Sequence, residues 1–169
     1  WFLRRPQDGI ASLEKSIEFF SQTEHAVNSV IAYNNLGMNL ILIGEWTRAE
    51  EMIAKALEIG LKERYDHVAG IYDSLAELKI LREELDEAEE LLEKALEYAK
   101  GHKNSWYIVQ LKRNVARCYL GQERYKAAIE TARETLLLSS EINDKHHANM
   151  AALVLAEANL ALGEVDECE

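Results

Sequence analysis

Proline is nearly missing: Pro6 is the only one, so 163 consecutive residues run without the strongest helix breaker. Glycine is also scarce, with eight in 169 residues. A β-sandwich or barrel needs far more turn residues than this, and the shortage points to an all-helical chain. The two cysteines, Cys118 and Cys168, lack the spacing of a metal site or a disulfide framework, which fits a reducing compartment. Positive charge is short as well. Nineteen basic side chains face 30 acidic ones, a net charge of −11 that argues against a chain built to bind nucleic acid or anionic lipid. No apolar run approaches the ~18 residues of a membrane span. What is abundant is apolar residues at 48% and charged residues at 29%, a composition that folds around a core. The opening Trp1–Pro6 resembles neither a signal peptide nor a start site, so the chain reads as a single domain excised from a longer cytoplasmic protein.

The sequence repeats. Leu36-Gly37, Gly44-Glu45-Trp46 and Ala49 return as Leu75-Ala76, Glu83-Glu84-Leu85 and Ala88. They return again as Val115-Ala116, Glu123-Arg124-Tyr125 and Ala128, and then as Leu155-Ala156, Gly163-Glu164-Val165 and Cys168. The offsets are 39, 40 and 40 residues. Each copy reads as a helix, a tight corner and a second helix. Small residues at Gly37, Ala76, Ala116 and Ala156, and again at Ala49, Ala88, Ala128 and Cys168, let the two helices approach closely. Trp46, Leu85, Tyr125 and Val165 fill the wedge beneath the corner. Apolar stripes such as Ile53, Ala56 and Leu57 continue each second helix. The units expected are 1–24 (the second helix of a truncated repeat, with Pro6 in its first turn and Gly9, Leu13, Ser16 and Ile17 inward), 25–62, 63–101, 102–142 and an incomplete repeat at 143–169.

With Tyr33, Leu36, Gly37, Leu40, Ala49, Ile53 and Ala56 in the first full copy, the pattern resembles a tetratricopeptide repeat array. The second copy keeps Tyr72, Leu75, Ala76, Ala88, Leu92 and Ala95 but places Lys79 where a large residue is usual. The third substitutes Lys112 for a large apolar residue and Thr135 for an alanine. The long period resembles extended-repeat members of the family, found in bacterial signalling and transcription-regulating proteins and in kinesin-light-chain-like and spindle-orientation scaffolds. A bacterial regulator is the setting expected. The resemblance implies a right-handed superhelical solenoid of antiparallel helix hairpins, with the first helices lining a concave groove.

The resemblance also implies binding rather than catalysis, with no cofactor or metal. On the implied groove positions stand Asn34, Asn35 and Met38, then Asp73 and Glu77, then Arg113, Asn114 and Arg117, and finally Glu157. Asn35 and Asn114 could hold a peptide backbone, since an amide both donates and accepts. Arg113 and Arg117, one turn apart, could grip a carboxylate or phosphate. Alternatively, Asp73 and Glu77 pair with those arginines across neighbouring repeats. Asn34, Met38, Asp73 and Ser74 depart from the set that grips chaperone tails, so such a clamp is not expected.

No catalytic motif is present. The five histidines fall in the corners, where a metal-binding ladder is conceivable but solvated side chains are expected. The acidic run Glu83–Glu93 reads as a solvated helix start. Cys118 reads as a packing residue. Charge is uneven: residues 100–133 carry net +6, while 45–99 carry −9 and 134–169 carry −7. The expected function is a peptide- or protein-binding scaffold with an acidic partner. The alternatives are self-association through the terminal repeats and a small-molecule sensor.

Overall fold

The computed structural model describes residues 6–21, 26–100 and 105–163. Among them the backbone forms eight α-helices and no strand: α1 (Pro6–Ser21), α2 (Ala26–Leu42), α3 (Trp46–Lys62), α4 (Val68–Leu81), α5 (Leu85–Ala99), α6 (Ser105–Gly121), α7 (Tyr125–Glu141) and α8 (Lys145–Leu162). Pro6 opens α1, where its missing N–H and fixed φ are tolerated. The chain divides into two compact units, residues 1–78 and 79–169. In the first, α2 packs against α1 and α3; in the second, α6 packs against α5, α7 and α8, and α7 against α8.

The second helices of the hairpins share one buried register. In α3 it is Ala49, Ile53, Ala56 and Gly60; in α5, Ala88, Leu92, Ala95 and Ala99; in α7, Ala128, Ala132, Thr135 and Ser139. Each stripe steps by four, three and four residues, keeping it on one helical face. Small residues dominate it because two backbones meet there. At Gly37 the approach is so close that an added Cβ would lie 2.3 Å from Ile53 Cγ1 and 3.0 Å from the Ala49 carbonyl oxygen. Ile53 is fully buried, worth about 1.5–3 kcal/mol relative to exposure. In the second unit Ala116 shares a core cluster with Ala128, Ala132, Val154 and Ala158.

The corners share a design too. Gly44, Glu83 and Glu123 have left-handed φ of 81°, 61° and 58°. The next residue's N–H reaches back across the helix end: Glu45 to the Leu40 carbonyl at 3.0 Å, Glu84 to Lys79 at 3.0 Å, Arg124 to Tyr119 at 2.9 Å. With the bonds from Gly44 to Ile41, Glu83 to Ile80 and Glu123 to Leu120, these are Schellman endings. Arg64 and Asn143 end α3 and α7 likewise, with Tyr65 and Asp144 reaching back to Gly60 and Ser139.

The departures from the repeat pattern are absorbed locally. Half-buried Lys79 extends its ammonium to Glu84 at 2.5 Å and Glu87 at 2.7 Å, tying the end of α4 to the start of α5. Lys112 reaches Glu134 at 2.7 Å. Thr135 is fully buried, and its hydroxyl donates to the Thr131 carbonyl at 2.7 Å.

Gly37→Ala should destabilise the chain by about 1–3 kcal/mol through overpacking, and Ile53→Val should cost less in that background than in the unaltered chain, because it removes the Cδ1 that the new Cβ meets at 2.9 Å. Denaturant titration of the single and double variants checks both. Glu123→Gly should raise the melting temperature, because the left-handed position penalises a side chain by about 1–2 kcal/mol, more than the ~0.5–1 kcal/mol that glycine loses in chain entropy.

Candidate ligand-binding surface

On α2 the exposed side chains are Val27, Asn28, Ile31, Asn35 and Leu42, set at helical spacing. Three are apolar and two are amides, so this stripe offers apolar contact with local hydrogen bonding and no charge. Asn35 is exposed, and its backbone carbonyl accepts from the Asn39 side-chain amide at 2.8 Å. Asn34 and Met38 are half-buried, and Asn34 Oδ1 is a buried acceptor with no hydrogen-bond partner. On α4, Asp73 is buried and Glu77 half-buried.

The second unit gathers three of the residues expected to bind. Asn114 on α6 is fully buried, and its Oδ1 accepts from Arg113 Nη2 at 3.0 Å and from Arg117 Nη1 at 3.2 Å. One neutral amide oxygen therefore holds two guanidinium groups. Arg113 is 8% exposed, and its Nε is buried without a hydrogen-bond partner, whereas Arg117 is partly exposed. Helical spacing produces the knot: residues 113 and 117 lie one turn apart on the face that residue 114 borders. On α8, Glu157 is exposed, as are Leu153 and Leu160.

The acidic run lines an open cleft of about 700 Å³, formed by Glu83, Glu84, Leu85, Asp86, Glu87, Glu89, Gln122 and Arg124. Glu84 and Glu87 meet Lys79, while Glu89 takes Gln122 Nε2 at 2.9 Å and Arg124 Nη1 at 2.8 Å. Burial works to raise the Glu89 carboxyl, but these hydrogen bonds outweigh it and hold the group below its ordinary value. Arg124 also lies 4.1 Å from the Tyr119 ring centre. The cleft is therefore cross-tied as well as solvated.

Cys118 is buried, and its thiol donates to the Leu85 carbonyl at 3.2 Å. Burial, aided by Glu89, pushes it up to about 11, the opposite of an activated nucleophile.

The histidines do not share one environment. His67 and His146 are exposed; His25 and His102 lie outside the described residues. His147 is only 5% exposed, a departure from the solvated corner expected of it. Asp144, the N-cap of α8, accepts both the His147 backbone N–H at 3.1 Å and, 2.6 Å away, its ring Nδ1. Trp106 of α6 meets the same ring edge-on, with centres 5.5 Å apart. The sequence signal was present as an Asp three residues before a His at a helix start. Among the described residues, no three His, Cys, Asp or Glu side chains are grouped to hold a metal ion. No described helix is long and apolar enough to cross a membrane.

Burial tends to raise the Asp144 carboxyl, but the His147 ring and the backbone N–H groups of His147 and His146 outweigh it and keep it below its ordinary value. Its contribution is therefore present above the ordinary carboxylate range and is lost as pH falls below about 4. Asp144→Ala should cost about 1 kcal/mol at neutral pH. Thermal melts at pH 7 and pH 3 should show the variant's deficit shrinking in acid.

Residues 28–101 match the family model described as tetratricopeptide repeat. Two crystal structures of a Podosopora anserina kinesin light chain with nearly identical TPR-like repeats, one of them carrying a substitution, are each 17% identical to this chain. They superpose with TM-scores of 0.75 and 0.74, covering 96% of this chain and 81% and 82% of theirs. BtubC (BKLC) from P. vanneervenii is 20% identical with a TM-score of 0.79, covering 96% of this chain and 69% of that one. No curated protein sequence matches the chain. At these identities the structural likeness speaks for the fold, and the family model speaks for the repeats: residues 28–101 carry tetratricopeptide repeats, within a chain whose helical hairpins have the tetratricopeptide-like fold.

Proposed function

We propose that the chain is the interaction module of a larger cytoplasmic scaffold or regulatory protein, and that it holds an acidic peptide or protein segment on the face of its first helices. The repeat fold generally mediates protein–protein interaction. The observation that carries the finer reading is the α6 knot, where Arg113 and Arg117 converge on Asn114 within the one basic stretch of an acidic chain. Guanidinium groups match the bidentate geometry of carboxylates and phosphates, so a carboxylate-bearing segment suits the pair. The exposed Ile31 and Asn35 of α2 offer a separate apolar and amide contact.

Selection of binders from a random peptide library on the immobilised chain tests this reading. Selected peptides should be enriched in Asp and Glu, and Arg117→Glu should weaken them about tenfold or more, equivalent to ~1.4 kcal/mol. Acid-rich binders indifferent to the charge reversal would remove the α6 face from the site.

A second reading, self-association, is favoured by one observation. Leu153 and Leu160 on α8 are exposed at 53% and 67%, together with Ala156 on the same helical face. Association through that face predicts sedimentation that changes with concentration and is abolished by Leu160→Glu. A constant monomer mass would exclude it.

A further inference from the structure

Helix α8 is apolar on its outer face as well as its inner one. Ala151, Val154 and Ala158 are buried, the last two in the cluster shared with α6 and α7. Outside stand Asn149, Leu153, Ala156 and Leu160, all exposed, with exposed Ala152 beside them. After His147 the helix carries one charged side chain, Glu157, in a chain that is 29% charged. A helix with apolar residues on opposite faces is suited to being covered on both.

The outer stripe steps by four, three and four residues, the heptad spacing of a helix that packs along another helix. Small and large side chains alternate in it: Asn149, Leu153, Ala156, Leu160. Laid against itself in parallel, the stripe would stack leucine on leucine and alanine on alanine, a wide layer next to a narrow one. Reversed, Leu153 meets Ala156 of the second copy, Ala156 meets Leu153 of the second copy, and Leu160 meets Asn149 of the second copy. Each layer then holds one larger and one smaller side chain, as Gly37 lies opposite Ile53 within the chain. Reversal also places Glu157 level with Ala152 of the second copy, so the two Glu157 carboxylates are offset by about 7 Å along the axis at about 1.5 Å per residue. The two helix dipoles then oppose one another.

We infer that the outer stripe of α8 docks the α8 of a second copy of this chain, antiparallel, about a two-fold axis between Val154 and Leu155. This rests on the self-association reading above and names the partner helix and its direction. Four positions per copy fall well short of the roughly 20–30 residues a side of a stable interface, so the pairing is weak and follows concentration.

Sedimentation velocity of the chain from about 5 to 500 μM tests it, with circular dichroism melts to follow folding. The unaltered chain should be a monomer at the low end and shift toward a dimer at the high end. Leu153→Ala should lower the association constant about tenfold or more, and adding Ala156→Leu should restore it, because each layer again holds one large and one small side chain. Ala156→Glu should abolish the dimer and leave the melting temperature of the monomer unchanged, the position being exposed. Direction is read from cross-links in a Cys168→Ser background. Under mild oxidation, a mixture of Leu153→Cys and Ala156→Cys chains should form a disulfide-linked dimer more readily than either chain alone.

A monomer at every concentration would overturn the self-association reading and this inference with it. A dimer that survives both Leu153→Ala and Ala156→Glu would keep self-association and remove α8 from it. Faster cross-linking of the Leu153→Cys chain to itself than to its mixing partner would overturn the antiparallel direction alone. A lower melting temperature for monomeric Ala156→Glu would mean that the face is covered within the chain, which would overturn its assignment to a second copy.

Discussion

The hairpins depend on one conformational constraint: a single residue held at left-handed φ, followed by an N–H that reaches back across the last turn. This bond satisfies carbonyls that would otherwise be stranded at the helix end, and it reverses the chain within three residues. Because Gly44, Glu83 and Glu123 recur at a spacing of 39 and 40 residues, the reversals recur as well. The buried stripes of α3, α5 and α7 then start at equivalent points. Helix pairing within each hairpin and the small-residue seam both follow from that shared starting point.

At the hairpin corners two of these residues are glycines and two are glutamates, which explains what could be read in the sequence. Gly44 and Gly163 announce a corner by themselves, with φ of 81° and 75°. Glu83 and Glu123 do so only through alignment with them, since an isolated glutamate reads as helix former. The stripe positions Ala49, Ala88 and Ala128 were legible from their spacing. Its last members, Gly60, Ala99 and Ser139, were not, because they share size but no residue type. The two lysines that broke the pattern were legible as departures. Their remedies were not, because the pairing of Lys79 with Glu84 and Glu87 depends on where the corner places α5.

The candidate surface was legible by position and obscure in chemistry. Register alone places Arg113, Asn114 and Arg117 near one another, but it does not reveal that Asn114 is sealed inside and turned toward the arginines. A single residue's step around a helix is about 100°, enough to move an amide from groove to interior. His147 shows the same limit: a corner histidine is solvated by default, and only an acceptor three residues earlier and an indole from α6 draw it inward.

The seam between paired helices has a consequence for how such a chain can change. Gly37 faces Ile53, while Ala116 shares its cluster with Ala132: no side chain opposite a large one in the first pair, two small ones in the other. The repeats therefore share a backbone plan without being exchangeable parts. Grafting α6 opposite α3 would drive a methyl group into Ile53, and grafting α2 opposite α7 would leave a void. Duplication could have supplied the copies, but each pair has since become its own lock, so recombination between copies would be tolerated only when both helices of a hairpin move together.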